Sequence, residues 1–186
     1  MIVGKKVALR PIEDKDLPLL VKWRNDPRSR TRFYSTELIA LSGQKKWLEN
    51  LLNDPTRIQF MITRLEDGVT IGTVGLMRID HRNQTVRPGP FIMDPAERGA
   101  QLGVEALRTI LRYAFRELNM QRAYGTVFDF NRSAAMGFEA IGFKREGVAR
   151  KSVWVDGEWR DAIYMGLLRD EWDEERLDRL GGLVSG

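Results

Sequence analysis

The sequence predicts one domain of the mixed α/β (α+β) class, and three observations predict it. Segments of strand character outnumber those of helical character. Hairpin turn signals, Glu66-Asp67-Gly68 and Asp156-Gly157, join neighbouring strands. A long helix and a short one each lie between strands, as crossovers in a mixed sheet require. The 186 residues fall within the usual ~100–200 of one domain. Residues 1–186 are therefore read as one unit, with 181–186 (GGLVSG) expected to fray.

Residues 7–12 (VALRPI) read as a short strand. Asp14 reads as the N-cap of a first helix, with Leu17, Leu20, Val21 and Trp23 at helical spacing. Asn25-Asp26-Pro27 ends it. Ser42 reads as the cap of a second helix, with Trp47, Leu48, Leu51 and Leu52 on one face and Asp54-Pro55 as the stop. Strands at 58–64 and 69–79 form a hairpin. A polar turn from His81 to Gln84 leads to a strand at 85–93, interrupted by Pro88 and Pro90. Proline removes a ladder N–H, so this strand is an edge, a bulge or a splayed end.

Over 101–118, Leu102, Ala106, Leu107, Ile110, Leu111, Ala114, Phe115 and Leu118 keep a 3.6-residue period. Arg108, Arg112, Arg116 and Glu117 fall outward. A strand covers 122–130. Asn131 or Ser133 caps a short helix to Ile141, and Gly142 closes it. Strands at 143–155 and 159–168 follow, then a charged helix at 169–180.

Composition narrows the function classes. With 42% apolar and 30% charged residues, the chain is not of the disordered kind. There is no run of 18 apolar residues, and MIVGKKVALR lacks the apolar stretch of a secretory signal. A cytoplasmic protein is expected, with no membrane partner. With no cysteine, there is neither a disulfide nor a thiol nucleophile. No metal is expected, since HExxH and ligand clusters are missing. A net charge of +4 mildly favours an anionic ligand.

The chemistry concentrates in 91–104, FIMDPAERGAQLGV, where a strand meets a tight turn and then the longest helix. The first N–H groups of a helix lack intrahelical partners and carry partial positive charge. Small residues there let a phosphate approach the main chain. Turn formation and close helix packing explain Gly99 and Gly103 equally well. The second segment is 125–143, GTVFDFNRSAAMGFEAIGF, where Asn131 serves either as a plain N-cap or as a contact to an amide-bearing ligand.

Together these residues resemble the GNAT superfamily of acetyl-CoA-dependent N-acetyltransferases. The family's Q/R-x-x-G-x-G/A loop is matched by Arg98-Gly99-Ala100-Gln101-Leu102-Gly103, and its later Asn, small helix and Gly-Phe by Asn131, Ser133 and Gly142-Phe143. LRPIEDKDLPLLVKWRNDP and GFKREGVARKSVWVDGEWRDAIYMGLLRDEW resemble the branch containing ribosomal-protein N-terminal acetyltransferases. The similarity spans residues 6–172.

The resemblance implies a GNAT-like mixed, mostly antiparallel, splayed sheet with helices on both faces. It implies acetyl-CoA as cosubstrate, wedged between two parting strands. Main-chain groups of Phe91, Ile92 and Met93 are expected along the pantetheine arm. N–H groups of Arg98, Gly99, Ala100, Gln101, Leu102, Gly103 and Val104 are expected on the pyrophosphate. Asn131 and Ser133 would border the pantetheine, and Phe138 would lie near the thioester sulfur.

The chain departs from the family at three positions. Gln101 replaces the loop's middle glycine, Arg87 stands where a glutamate serving as general base is common, and Phe138 stands where a proton-donating tyrosine is common. The catalytic base and acid therefore stay unassigned. Direct attack by an amine remains feasible without them, because an α-amine (pKa ~7.7–8.0) is partly neutral at pH 7. Missing acid–base help costs ~10²–10⁴-fold. His81 and Asp129 are replacement candidates. Their bland readings are a solvated turn residue and a salt-bridged surface acid.

Arg24, Phe33, Tyr34, Trp47 and Arg87 are expected to shape an acceptor pocket under the first two helices. The alternative for Trp23 and Trp47 is core packing. The acceptor is a primary amine, on a small molecule or a peptide N-terminus. Nucleic acid is not expected: RSRTR at 28–32 stands alone, without a recognisable binding pattern. A homodimer is compatible with apolar area near the broken strand. A catalytically weak CoA-binding module remains the competing reading.

Overall fold

A computed structural model describes residues 1–30, 37–97 and 102–175. In chain order the elements are β1 (Ile2–Val3), β2 (Val7–Pro11), a 3-10 turn (Asp14–Asp16), α1 (Leu17–Asn25), α2 (Pro27–Arg30), α3 (Leu41–Leu52), β3 (Ile58–Arg64), β4 (Thr70–Asp80), β5 (Thr85–Met93), α4 (Leu102–Arg116), β6 (Arg122–Phe128), α5 (Arg132–Ile141), β7 (Lys144–Val155) and β8 (Glu158–Leu168). They form one sheet of order β1-β2-β3-β4-β5-β6-β8-β7, in which only β5 and β6 run parallel. This is the mixed, mostly antiparallel architecture expected.

Alternation along the strands sends side chains to two cores. Val7, Leu9 and Ile62 face the apolar stripe of α4, with Ala106, Ile110 and Phe115 fully packed against them. Met61 and Ile92 face the other way, toward Leu20 and Trp23 of α1 and Leu48 and Leu51 of α3. Helices thus cover both faces.

Several boundaries differ from the sequence reading, each for a physical reason. Asp14 is not the cap of α1. Residues 14–16 form a separate 3-10 turn entered at Glu13, because Asp16 turns inward to Arg10. Ser42 does not cap α3, whose cap is Ala40, two residues earlier; the Ala40 carbonyl accepts from the Gln44 N–H (3.0 Å). Arg108 is buried rather than outward, 3.6 Å from Glu105. The two-residue strand β1 covers that face of α4, and the Lys5 N–H reaches Glu105 (2.7 Å). Beyond β8 the chain makes only a 3-10 turn at Arg169–Glu171 where a helix was expected. There Trp172 packs on Phe115 (5.6 Å), and Glu171 and Glu174 pair with Lys144 and with Arg112 and Arg116. Residues 176–180 of that expected helix lie outside the described residues.

The Arg10–Asp16 clamp fixes α1 to the sheet. Both carboxylate oxygens of Asp16 accept from Arg10 at 2.7 Å, and Asp16 is only 5% exposed. Bonding from Arg10 holds the Asp16 pKa below its ordinary value. A lowered folded-state pKa means the stabilisation is complete above the unfolded pKa near ~3.9. It is lost as pH falls below that value. Asp16→Asn is expected to cost about 2 kcal/mol at pH 7. The gap to wild type should begin to shrink below pH ~4 and vanish only as pH falls through the lowered folded-state pKa. Urea unfolding at pH 7 and pH 3 checks this.

Candidate active site

The sheet is broken at one place. β5 and β6 pair only at Thr85↔Arg122 and Val86↔Ala123, and then part. The separation begins where Arg87, Pro88, Gly89 and Pro90 follow. Pro88 and Pro90 supply no N–H, and Gly89 adopts φ +129°, a region that favours glycine. The β4–β5 ladder also shifts register here, between Val74 and Leu76. The prolines thus mark a splayed strand.

Past the bend, β5 stays bonded to β4 on one side. Gly72, Thr73 and Val74 face Met93, Ile92 and Phe91, and the Asp94 N–H reaches the Ile71 carbonyl (2.8 Å). In an antiparallel ladder bonding residues alternate, so Ile92 pairs with Thr73 while Phe91 and Met93 turn their main-chain groups toward the gap. This is an unfilled strand edge inside a sheet, a place where an extended ligand can add hydrogen bonds.

Two helices begin at the mouth of this gap, α4 from Leu102 and α5 from Arg132. In α4 the backbone at Gly103 packs closely: a Cβ there would lie 3.1 Å from the Phe91 ring, which would have to give by a few tenths of an ångström. In α5, Asn131 is the N-cap. Its side-chain oxygen accepts from the Ala134 N–H (3.4 Å) and the Ser133 hydroxyl (3.2 Å). Gly142 closes α5 in the left-handed region, φ +117°. The Phe138 ring lies over Gly125 of β6, where a Cβ would meet it at 3.0 Å, and packs on Phe143 at 4.5 Å. Arg98, Gly99, Ala100 and Gln101 lie outside the described residues.

On the opposite face of β5 lies a cavity of about 490 Å³. Leu20 and Arg24 of α1, Gly43, Gln44 and Trp47 of α3, Leu38, Ile39 and Ala40 before α3, and Gln59, Thr73, Pro90 and Ile92 of the sheet line it. Asn25 holds the 38–40 wall with two bonds to the Ile39 main chain, each 2.8 Å. The fully buried Trp23 ties α1 to the end of β5 by donating from Nε1 to Asp94 (2.9 Å). That bond and one from the Ala96 N–H help keep the Asp94 pKa low against the opposing effect of burial. Arg24 lines the cavity, and burial lowers its guanidinium pKa. Trp47 is also lining. Arg87 is not; it sits on β5 opposite Met77. Phe33 and Tyr34 lie outside the described residues.

Gln59 is the residue that the sequence reading missed. Its Nε2 donates to the Thr73 hydroxyl (2.7 Å) and to the Pro90 carbonyl (3.1 Å), while the Thr73 hydroxyl donates to the Phe60 carbonyl (2.7 Å). Because the Pro90 oxygen can only accept, the nitrogen of the carboxamide must face it. Among the described residues no donor reaches the Gln59 oxygen, which is seated over Gly75, whose missing Cβ makes the room. A lone glutamine inside the apolar run IQFMITR is the signal that marks it.

The replacement candidates have surface roles. Asp129 accepts from Arg160 (3.1 Å), and His81 is exposed in its turn. Within 28–32, Arg28 pairs with Asp26 (2.9 Å), while Thr31 and Arg32 lie outside the described residues.

Comparison with known proteins agrees with this geometry. Residues 6–144 match the family model described as an acetyltransferase (GNAT) domain. A probable N-acetyltransferase of Bacillus subtilis, YjcK, is 30% identical over 94% of this chain and 100% of its own length. YdaF of the same organism, provisionally assigned as a ribosomal N-acetyltransferase, is 33% identical over 94% of this chain and 97% of its own. A spermidine N-acetyltransferase from Vibrio cholerae, solved with CoA and spermine, has the same fold. Its TM-score is 0.83 at 20% identity, covering 89% of this chain and 97% of that one. By this match over most of its length, and by the splayed sheet that the match implies, the chain belongs to the GNAT family of acetyltransferases.

Proposed function

We propose that this acetyltransferase takes acetyl-CoA into the gap between β5 and β6 and a primary amine into the cavity beneath α1 and α3. The two spaces share strand β5, so the acetyl group passes directly from one to the other there. The observation that carries this reading is the β5–β6 ladder that stops after Val86 and Ala123.

The residues present fit the donor. The main chain of Phe91 and Met93 offers bonds to an extended amide-bearing arm, with Ile92 between them facing the acceptor. The N–H groups at the start of α4, Gly103 and Val104 included, suit a diphosphate. The Asn131 amide and Ser133 suit the arm from the β6 side, and Phe138 floors the gap. When bound, acetyl-CoA supplies an acyl carbon activated by a thiolate leaving group. The chain's own part is to hold that carbon beside the amine and exclude water, which by itself can supply several orders of magnitude.

The branch matters for the acceptor. Similarity to YdaF supports a peptide N-terminus or small amine of the ribosomal-acetyltransferase kind, and similarity to the Vibrio enzyme supports a polyamine. Among the described residues the cavity lining holds no carboxylate, histidine, lysine or tyrosine. The amine therefore arrives neutral rather than being deprotonated by the wall. The kcat/KM is expected to rise with pH along the acceptor's own titration, levelling above ~8 for an α-amine and still climbing there for a lysine-type amine of pKa ~10.4. Profiles for two such acceptors test this. One shared inflection near pH 6–7 would reveal an enzymic base and contradict it. Calorimetric titration with acetyl-CoA, followed by mass analysis for a gain of one acetyl group on an amine, tests the reading as a whole.

A further inference from the structure

A second cavity, also of about 490 Å³, shares no lining residue with the one beneath α1 and α3. It lies where β5 and β6 are still paired, between the end of β4, the turn after it, Thr85 of β5 and Tyr124 of β6. The β4–β5 ladder shifts register there, between Met77 and Asp80. A bulge re-aims side chains. This one sends Ile79 into the core, with its N–H on the Thr56 carbonyl (3.0 Å). It leaves Arg78 exposed at φ +51°, in the left-handed region.

The polar groups still open to a ligand are donors. A guanidinium has five N–H groups and no acceptor, and an imidazole offers an N–H in either protonation state. Among the described residues, the Arg78 and His81 side chains have no hydrogen-bond or ion-pair partner, and the Thr85 and Tyr124 hydroxyls make no hydrogen bond. The nearby acceptors are engaged already. Asp80, the one carboxylate in the described lining, accepts from the Asn83 N–H (2.9 Å) and Nδ2 (2.7 Å), which hold its pKa low. Thr56 gives its hydroxyl proton to Asp54 (2.6 Å).

We infer that this cavity binds a small organic oxyanion, a phosphate or a carboxylate, with Arg78 and His81 on the anionic head and the Thr85 and Tyr124 hydroxyls completing its shell. A planar guanidinium matches either head with two parallel N–H bonds. The volume is that of a small-molecule site rather than of a bare ion. Ile79 and the Tyr124 ring give the carbon body an apolar wall. The site is separate from both substrate spaces and stands or falls apart from them.

His81 is the only histidine in the chain, so its imidazole C–H signals in NMR are an unambiguous local reporter. The full-length protein is titrated with glycerol 3-phosphate and with succinate at fixed pH and ionic strength. Glycerol and sodium chloride serve as controls. At least one of the two anions is expected to shift His81 saturably, with a Kd of about 1 mM or tighter. The Thr85 and Tyr124 amides should move with it, and neither control should reproduce the shift. The tighter of the two identifies the head group as phosphate or carboxylate. Glycine adopts φ +51° without strain, so Arg78→Gly should melt no lower than wild type. It should nevertheless weaken binding at least tenfold. No saturation by about 10 mM of either anion, or the same shift with sodium chloride, would overturn the inference. So would unchanged affinity in Arg78→Gly, or shifts centred on Gly103 with His81 still. The wild-type titrations decide even if the variant misfolds.

Discussion

Replacing Gly103 by aspartate is expected to weaken acetyl-CoA binding at least tenfold while the protein stays folded. Position 103 lies in the first turn of α4, where a carboxylate ordinarily helps a helix by about 0.3–1 kcal/mol. Stability should therefore hold. The same carboxylate would stand against the diphosphate, and a tenfold loss corresponds to only about 1.4 kcal/mol. Two charges 4 Å apart near a protein surface repel by about 4 kcal/mol, so tenfold is a modest expectation. The new Cβ also presses on Phe91, but that ring is 38% exposed and can shift. Gly103→Ala separates the two effects. Calorimetry should find alanine within about threefold of wild type. If alanine and aspartate weaken binding equally, Gly103 serves helix packing against Phe91 and the diphosphate lies elsewhere.

Trp23→Ala is expected to cost about 3–5 kcal/mol of stability. Trp23 has no exposed surface, anchors the core beneath α1 and α3, and donates to Asp94. Its loss leaves a large void and a half-buried carboxylate short of a bond. For a chain of this size each kcal/mol moves the melting temperature by about 2–4 °C, so a drop of roughly 6–20 °C follows. Trp23→Phe keeps most of the volume and isolates the hydrogen bond, costing about 1.5–3 kcal/mol. Since Asp94 directly follows β5, both variants should also raise the KM for the amine. A loss under 1.5 kcal/mol for the alanine variant would mean that α1 is held chiefly by other contacts.

Much of the frame was legible in the residues. The hairpin over 58–79, the apolar stripe of the long helix and the Gly142 cap depend on neighbours within a few positions, where period and turn chemistry act. Pro88 and Pro90 pointed to the splay because a missing N–H is a local fact with a sheet-wide consequence. The elements misjudged were those set by distant partners. Arg108 is buried by a two-residue strand too short to leave a pattern, and the charged run after 168 spends its acids on Lys144, Arg112 and Arg116 rather than on its own helix. The cavity beneath α1 and α3 was half visible: Arg24 and Trp47 could be named, but Gln59 could not. Its role depends on a cross-strand register that brings Thr73, 14 residues away, and Pro90, 31 residues away, to one carboxamide.

The central claim is that the open edge of β5 receives the donor. Amide hydrogen exchange read residue by residue by NMR, with and without saturating CoA, tests it most directly. Ile92 is bonded to β4 in both states and serves as the internal control. The account predicts that the Phe91 and Met93 amides exchange at least tenfold more slowly with CoA bound, by more than Ile92 changes. Equal protection of all three, or none, would place the ligand away from this edge and contradict it.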